Sequence, residues 1–128
     1  MYIWKVFVTK WDPTSLVGQD LNDLGINEIE LEIRFKESYP FSPPFVRVVK
    51  PRFEQLTGHV TRAGALCMQI LTEKHWSPAC SIESLIVTIR SEMIEGGGRI
   101  DKDNYNRPYS LAEAETSFIQ VARGHGWL

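Results

Sequence analysis

Cysteine is scarce in this chain: of 128 residues only Cys67 and Cys80 carry thiols. A secreted scaffold stapled by disulfides is therefore excluded, and in a reducing compartment both thiols stay free. Long apolar runs are missing too. No stretch approaches the roughly 18 residues of a membrane span, and Met1-Tyr2-Ile3-Trp4-Lys5 lacks the apolar core of a secretory signal. Neither charge sign dominates: 14 basic against 16 acidic side chains leave a formal net charge of -2. That balance argues against a polybasic surface for nucleic acid or membrane. The expectation is a cytoplasmic or nuclear protein that binds proteins or small molecules, with no nucleic-acid or membrane partner.

What is present is enough for one compact domain spanning residues 1–128. With 43% hydrophobic and 23% charged side chains, a chain of this length buries about two-thirds of its unfolded surface without a metal or disulfide staple. Ile3 to Trp11 reads as a strand, with Trp4, Val6 and Val8 alternating against polar neighbours. Asp12 to Asn27, with Pro13, Gly18, Gly25 and several Asp and Asn residues, reads as a turn-rich connection rather than a helix. Glu28 to Lys36 alternates cleanly: Ile29, Leu31, Ile33 and Phe35 face one way, and charged residues the other. Tyr39 to Pro44 holds three prolines and must be a rigid loop. Phe45 to Val49 then resumes strand character.

Three strands with no helix between them form an antiparallel meander. Trp4, Phe7, Trp11, Phe35 and Phe45 are expected in the core by default, and the charges of Glu28 to Lys36 on a solvated face. Arg52 to Leu71 has no sustained period and reads as a long irregular segment, a common location for function. Ser81 caps a helix carrying Ile82, Leu85, Ile86, Ile89 and Met93, stopped by Gly96, Gly97 and Gly98. A second helix starts at the Ser110-x-x-Glu113 capping box and ends at Gly124 and Gly126, before Trp127.

Chemistry-bearing residues are few. Cys67, at the end of the irregular segment, is either a buried small hydrophobe or a used thiol, and Cys80 has the weaker case. The intervals among His59, Cys67, His75 and Cys80 contain no paired metal knuckle, so no metal site is expected. The triple glycine lacks a following Lys-Ser or Lys-Thr, so no nucleotide cofactor is expected either. A Cys/His hydrolase with Cys67 as nucleophile and His59 or His75 as base has no supporting local signature. Phe41, between prolines, stands out as a contact anchor unless it folds back beneath its loop.

Taken in order, Tyr39-Pro40-Phe41-Ser42-Pro43-Pro44, Gly64-Ala65-Leu66-Cys67-Met68-Gln69-Ile70-Leu71, Trp76-Ser77-Pro78-Ala79 and the capped helix resemble the catalytic core of the ubiquitin-conjugating enzyme family. The match runs from about Trp4 to Trp127. Pro44 to Val49, Tyr109-Ser110-Leu111 and Gly126-Trp127 resemble its Q branch. The resemblance implies an α+β fold whose N-terminal helix and first strand are missing from this chain, so the domain is expected to be truncated at its N-terminus. It implies that Cys67 takes ubiquitin, or a ubiquitin-like protein, as a thioester from an activating enzyme, and passes it to a substrate lysine with a RING or HECT ligase. An unperturbed thiol near pKa 8.5 would be about 3% ionised at neutral pH. Phe41, Pro78 and Ala79 occupy positions that the resemblance assigns to ligase binding.

Two places depart from the family pattern. Thr57-Gly58-His59 stands where most members carry His-Pro-Asn, and Gln69 stands where an Asp is usual. His59, eight residues before Cys67, can donate hydrogen bonds and is the candidate to assist transfer; equally, it packs the loop. These departures bear more on lysine transfer than on thioester formation. They also keep open a rival, a weak or inactive member of the family that binds ubiquitin or a ligase without carrying it.

Overall fold

The computed structural model describes residues 2–125. Strand β1 (Tyr2–Val8) pairs antiparallel with β2 (Ile29–Phe35), and β2 with β3 (Phe45–Lys50), in the order β1-β2-β3. The expected α+β meander is present. Its register puts Tyr2, Trp4, Val6 and Val8 opposite Phe35, Ile33, Leu31 and Ile29, so the alternation in β2 builds one buried face. Strand β1 stops at Val8, three residues short of the expected Trp11, whose indole N–H turns back to donate to the Val8 carbonyl.

Between β1 and β2 the chain forms helix α1 (Leu16–Leu24), where the sequence reading placed only turns. Ser15 caps it by accepting from the Gly18 amide, and Gly25 closes it in the left-handed region at φ 69. Val17 and Leu21 on one face are buried. Gly18, which weakened the helix signal, is required by packing: a methyl group there would collide with the Asp12 carbonyl.

The later helices match their cap signals. In α2 (Ile82–Glu95) Ser81 accepts from the Ser84 amide, and Leu85, Ile89 and Met93 are buried. In α3 (Leu111–Gly124) Ser110 accepts from the Glu113 amide. Phe118 of α3 meets Phe45 edge to face at 5.9 Å. The stop signal at Gly126 and the aromatic at Trp127 lie outside the described residues.

Not every aromatic on a strand is core. Phe35 is buried, but Trp4 and Phe7 are about half exposed, at 50% and 49%: β1 is an outer strand paired only with β2 among the described residues, whereas β3, the other outer strand, is also bridged from Arg47 to Ala65. Nor is the charged face of β2 simply solvated. Glu32 is half-buried and bridges Arg34 at 2.9 Å and Arg47 at 3.2 Å, while Arg47 also donates to the Tyr109 carbonyl. Burial raises the Glu32 pKa, but the two guanidinium hydrogen bonds outweigh it, and the net shift is downward.

Candidate active site

The irregular segment folds back on itself around Cys67. Gly64 donates to the Thr61 carbonyl and Thr61 to the Ala65 carbonyl, Val60 bridges Leu66, and the Cys67 amide donates to the His59 carbonyl at 2.8 Å. Gly58, at φ 64, and His59, at φ 62, both take the left-handed conformation. That is routine for glycine but uncommon for other residues, although histidine is among those that tolerate it. The reversal brings His59 and Cys67 side by side along the backbone although eight positions separate them.

Cys67 is 6% exposed, and burial pushes its thiol up to about 11. This corrects the expected few per cent of thiolate: about one thiol in 10,000 is ionised at pH 7. The Cys67 thiol is therefore protonated at neutral pH.

His59 is an exposed residue whose ring rests on the end of α2. A methyl group on Gly96 would come within 2.8 Å of its Cδ2 and 3.1 Å of its Nε2. No side-chain hydrogen bond joins a histidine to Cys67 among the described residues. His75, the other proposed base, instead lies 3.1 Å from the amide nitrogen of Gln69, ring Nε2 to Nε2. The hydrolase arrangement, in which a ring nitrogen meets the thiol, is thus not assembled.

Phe41 is 79% exposed and does not fold beneath its loop. The two loops expected to meet a ligase are tied together: Trp76 Nε1 donates to the Pro40 carbonyl at 2.7 Å, and the Trp76 ring lies near Tyr39, which in turn meets Phe35. Pro78 and Ala79 are exposed beyond that anchor. Cys80, half-buried, has its thiol 3.5 Å from the Ser81 carbonyl.

Residues 26–115 match the family model described as ubiquitin-conjugating enzyme. The chain belongs to the ubiquitin-conjugating enzyme family. Among the relatives of this ubiquitin-conjugating domain, the Q-like protein 1 of Homo sapiens, named as a ubiquitin-conjugating enzyme, is 33% identical over 133 residues, covering 100% of this chain and 81% of the relative. Ubiquitin-conjugating enzyme E2 Q1 of Homo sapiens is 38% identical over 134 residues, covering 99% of the chain and 31% of the relative. A Q-like ubiquitin-conjugating enzyme of Drosophila melanogaster is 33% identical, with 100% of this chain and 42% of its own length covered. The chain thus spans less than half the length of two of these three relatives. The fold is shared with the solved ubiquitin-conjugating enzyme UbcA1 of Agrocybe aegerita, at TM-score 0.56 and 21% identity, covering 94% of this chain and 73% of that one.

Several supports of the Cys67 region were not foreseen. Tyr109 packs against Gly64, where any side chain would strike its ring, and its hydroxyl accepts from the Phe53 amide at 2.7 Å. Arg52 lies 4.3 Å over the same ring. Asp20, 1% exposed, clamps Arg99 from helix α1. The signals were present as isolated polar and aromatic residues, but their partners are about 45 to 80 positions away in sequence, beyond the reach of the local spacing that sequence patterns report.

Proposed function

We propose that this domain carries ubiquitin, or a ubiquitin-like protein, as a thioester on Cys67 and transfers it to a lysine amine with the help of a ligase. The observation that supports this best is the backbone reversal that sets the Cys67 amide on the His59 carbonyl at 2.8 Å, within the segment matched by the family model. In the first step the thiol attacks the thioester that the activating enzyme presents, and the acyl group moves from one sulfur to the other. The proton of the Cys67 thiol passes to the activating enzyme's departing thiolate. In the second step an uncharged amine attacks the acyl carbon, and the Cys67 thiolate leaves and is reprotonated.

A raised thiol pKa suits a carrier: buried sulfur is protected between turnovers and reacts only where a partner takes its proton. The domain's own contribution is to place the acyl group and to stabilise the oxyanion that forms in the second step. His59 is the assigned donor for that oxyanion. Phe41, Pro78 and Ala79 form the ligase surface. Two rigid loops offering an aromatic ring and a small apolar patch fit a modest, transient interface. The working compartment is cytoplasmic or nuclear.

Incubation with activating enzyme, ATP and ubiquitin tests the reading. A reductant-sensitive adduct that disappears in Cys67→Ala supports it. No adduct with ubiquitin or any ubiquitin-like protein overturns it in favour of a binding module, the second reading, which the protonated, buried thiol also suits.

A further inference from the structure

The geometry points to Asp20 as a positioning residue for the Cys67 site, acting from helix α1 through Arg99 on the Thr57-Gly58-His59 segment. This inference rests on the thioester reading above. Asp20 is a carboxylate whose side chain is 2% exposed, and its two oxygens are fully engaged. Oδ2 accepts from Arg99 Nε at 2.8 Å and from the Ile100 amide at 3.0 Å, while Oδ1 accepts from Arg99 Nη2 at 3.0 Å. Lys102 adds a further cation 3.4 Å from Oδ1. A bidentate guanidinium and a backbone amide on one carboxylate define both the position and the rotation of the residues that donate them. Asp20 therefore fixes residues 99 and 100 at the far end of the triple-glycine turn.

That turn is the surface on which the segment before Cys67 is built. The Arg99 amide donates to Thr57 Oγ1 at 3.0 Å, and the Arg99 carbonyl accepts from the Glu54 amide at 2.8 Å. The Gly58 amide donates to the Gly96 carbonyl at 3.1 Å. Gly58 and Gly98 then meet backbone to backbone: a methyl group on Gly58 would lie 2.9 Å from the Gly98 Cα. The His59 ring rests on Gly96, and the His59 carbonyl receives the Cys67 amide. Each residue of the Thr57-Gly58-His59 triplet is thus held by a residue of the 96–99 stretch, and the end of that stretch is held by Asp20.

Glycines 96 to 98 present no side chains to hold this turn in place, and glycine is the residue with most freedom to move. The near side of the turn is held by α2, whose Glu92, Ile94 and Met93 carbonyls accept from the Gly96, Gly97 and Gly98 amides; its far side, at Arg99 and Ile100, is anchored by the buried carboxylate. Releasing it lets the turn shift and re-aims His59 relative to the acyl group on Cys67, and small misplacement is costly in transfer steps.

The test charges each variant with ubiquitin, removes ATP and follows discharge to free lysine in a single turnover. Asp20→Asn is expected to load within about two-fold of the unmodified protein and to discharge about ten-fold more slowly. Gly96→Ala leaves α1, Asp20 and Arg99 untouched and sits at an ordinary φ of -76; its methyl would meet the His59 ring at 2.8 Å and the Glu92 carbonyl at 3.0 Å. It should reproduce the slowing by moving the ring directly, and if Asp20→Asn folds poorly, Arg99→Lys, which keeps a cation but loses the two-point grip on Asp20, tests the anchor in its place. Neither change should slow discharge further when combined with His59→Gly, since all three act through one side chain. Discharge equal to the unmodified protein, or full additivity with His59→Gly, overturns the proposal. A readout independent of conjugation is the NMR spectrum of the His59 ring, which should move in Asp20→Asn; an unmoved ring overturns the proposal. Failure of the unmodified protein to form any thioester defeats the conjugating reading instead, and the ring spectrum still decides this one.

Discussion

The indole nitrogen of Trp76 donates to the carbonyl of Pro40 at 2.7 Å, binding the Phe41 loop to the Pro78-Ala79 loop as one surface. Trp76→Phe keeps an aromatic ring but loses this bond. It should destabilise the fold by about 1 kcal/mol, measured by urea denaturation. It should also weaken binding of a RING domain several-fold, although neither Phe41, Pro78 nor Ala79 has changed. Unchanged affinity would mean that the two loops are recognised separately.

Phe41→Ala is expected to behave differently. With the ring 79% exposed, its removal should alter stability by no more than a few tenths of a kcal/mol while reducing ligase affinity. Matched thermal melts and titrations distinguish the two effects, and a large fall in melting temperature would contradict the exposure of the ring.

Thiol reactivity separates the two cysteines. Since burial pushes Cys67 up to about 11, peptide mapping after iodoacetamide treatment at about pH 7.5, where a thiol's reactivity follows its thiolate fraction, should find Cys80 alkylated well before Cys67. The Cys67 rate should climb with pH until the fold is lost. The raised value also bears on stability. The neutral thiol is favoured in the folded state, so its contribution is complete below the ordinary value of 9.0 and is lost as pH rises from there towards 11.

Acid acts through a different group. The Arg99 guanidinium beside Asp20 holds its carboxyl below the ordinary 3.8. A depressed acid contributes stability that is complete above its unfolded value and is lost as pH falls through the folded one. Unfolding free energy should therefore fall as pH drops below about 4, and Asp20→Asn should flatten part of that slope. The same substitution should cost about 1–3 kcal/mol at neutral pH. An unchanged acid slope would show that the Asp20 pair contributes nothing to stability.

His59 is best deleted with glycine, because its φ of 62 strains alanine but not glycine. His59→Gly should form the Cys67 thioester normally and discharge it to lysine about 10²-fold more slowly if the ring stabilises the oxyanion. Discharge at the unmodified rate would leave His59 as loop packing alone.

Much of the fold was legible in order of appearance. The strict alternation from Ile29 to Phe35 defined a strand with one buried face, and Ser81 and Ser110 marked two helix starts by the same side-chain capping that the structure shows. The first helix was not legible. Gly18 and the Asp and Asn residues around it read as turn chemistry, yet Gly18 is there because a neighbouring carbonyl leaves no room for a side chain. The aromatics of β1 misled for a related reason: their residue types fit a core, but exposure at a sheet edge depends on how many strands lie alongside.

By itself the sequence determined the meander, two of the three α-helices among the described residues, the family resemblance and the thiol at position 67, because periodicity, capping and motif order are local properties. Only tertiary structure decided the state of that thiol, since its pKa follows from the surroundings that exclude water from it. Only tertiary structure, likewise, joined Asp20 to Arg99 and Trp76 to Pro40, because hydrogen bonds spanning 79 and 36 positions depend on where packing brings the chain back upon itself.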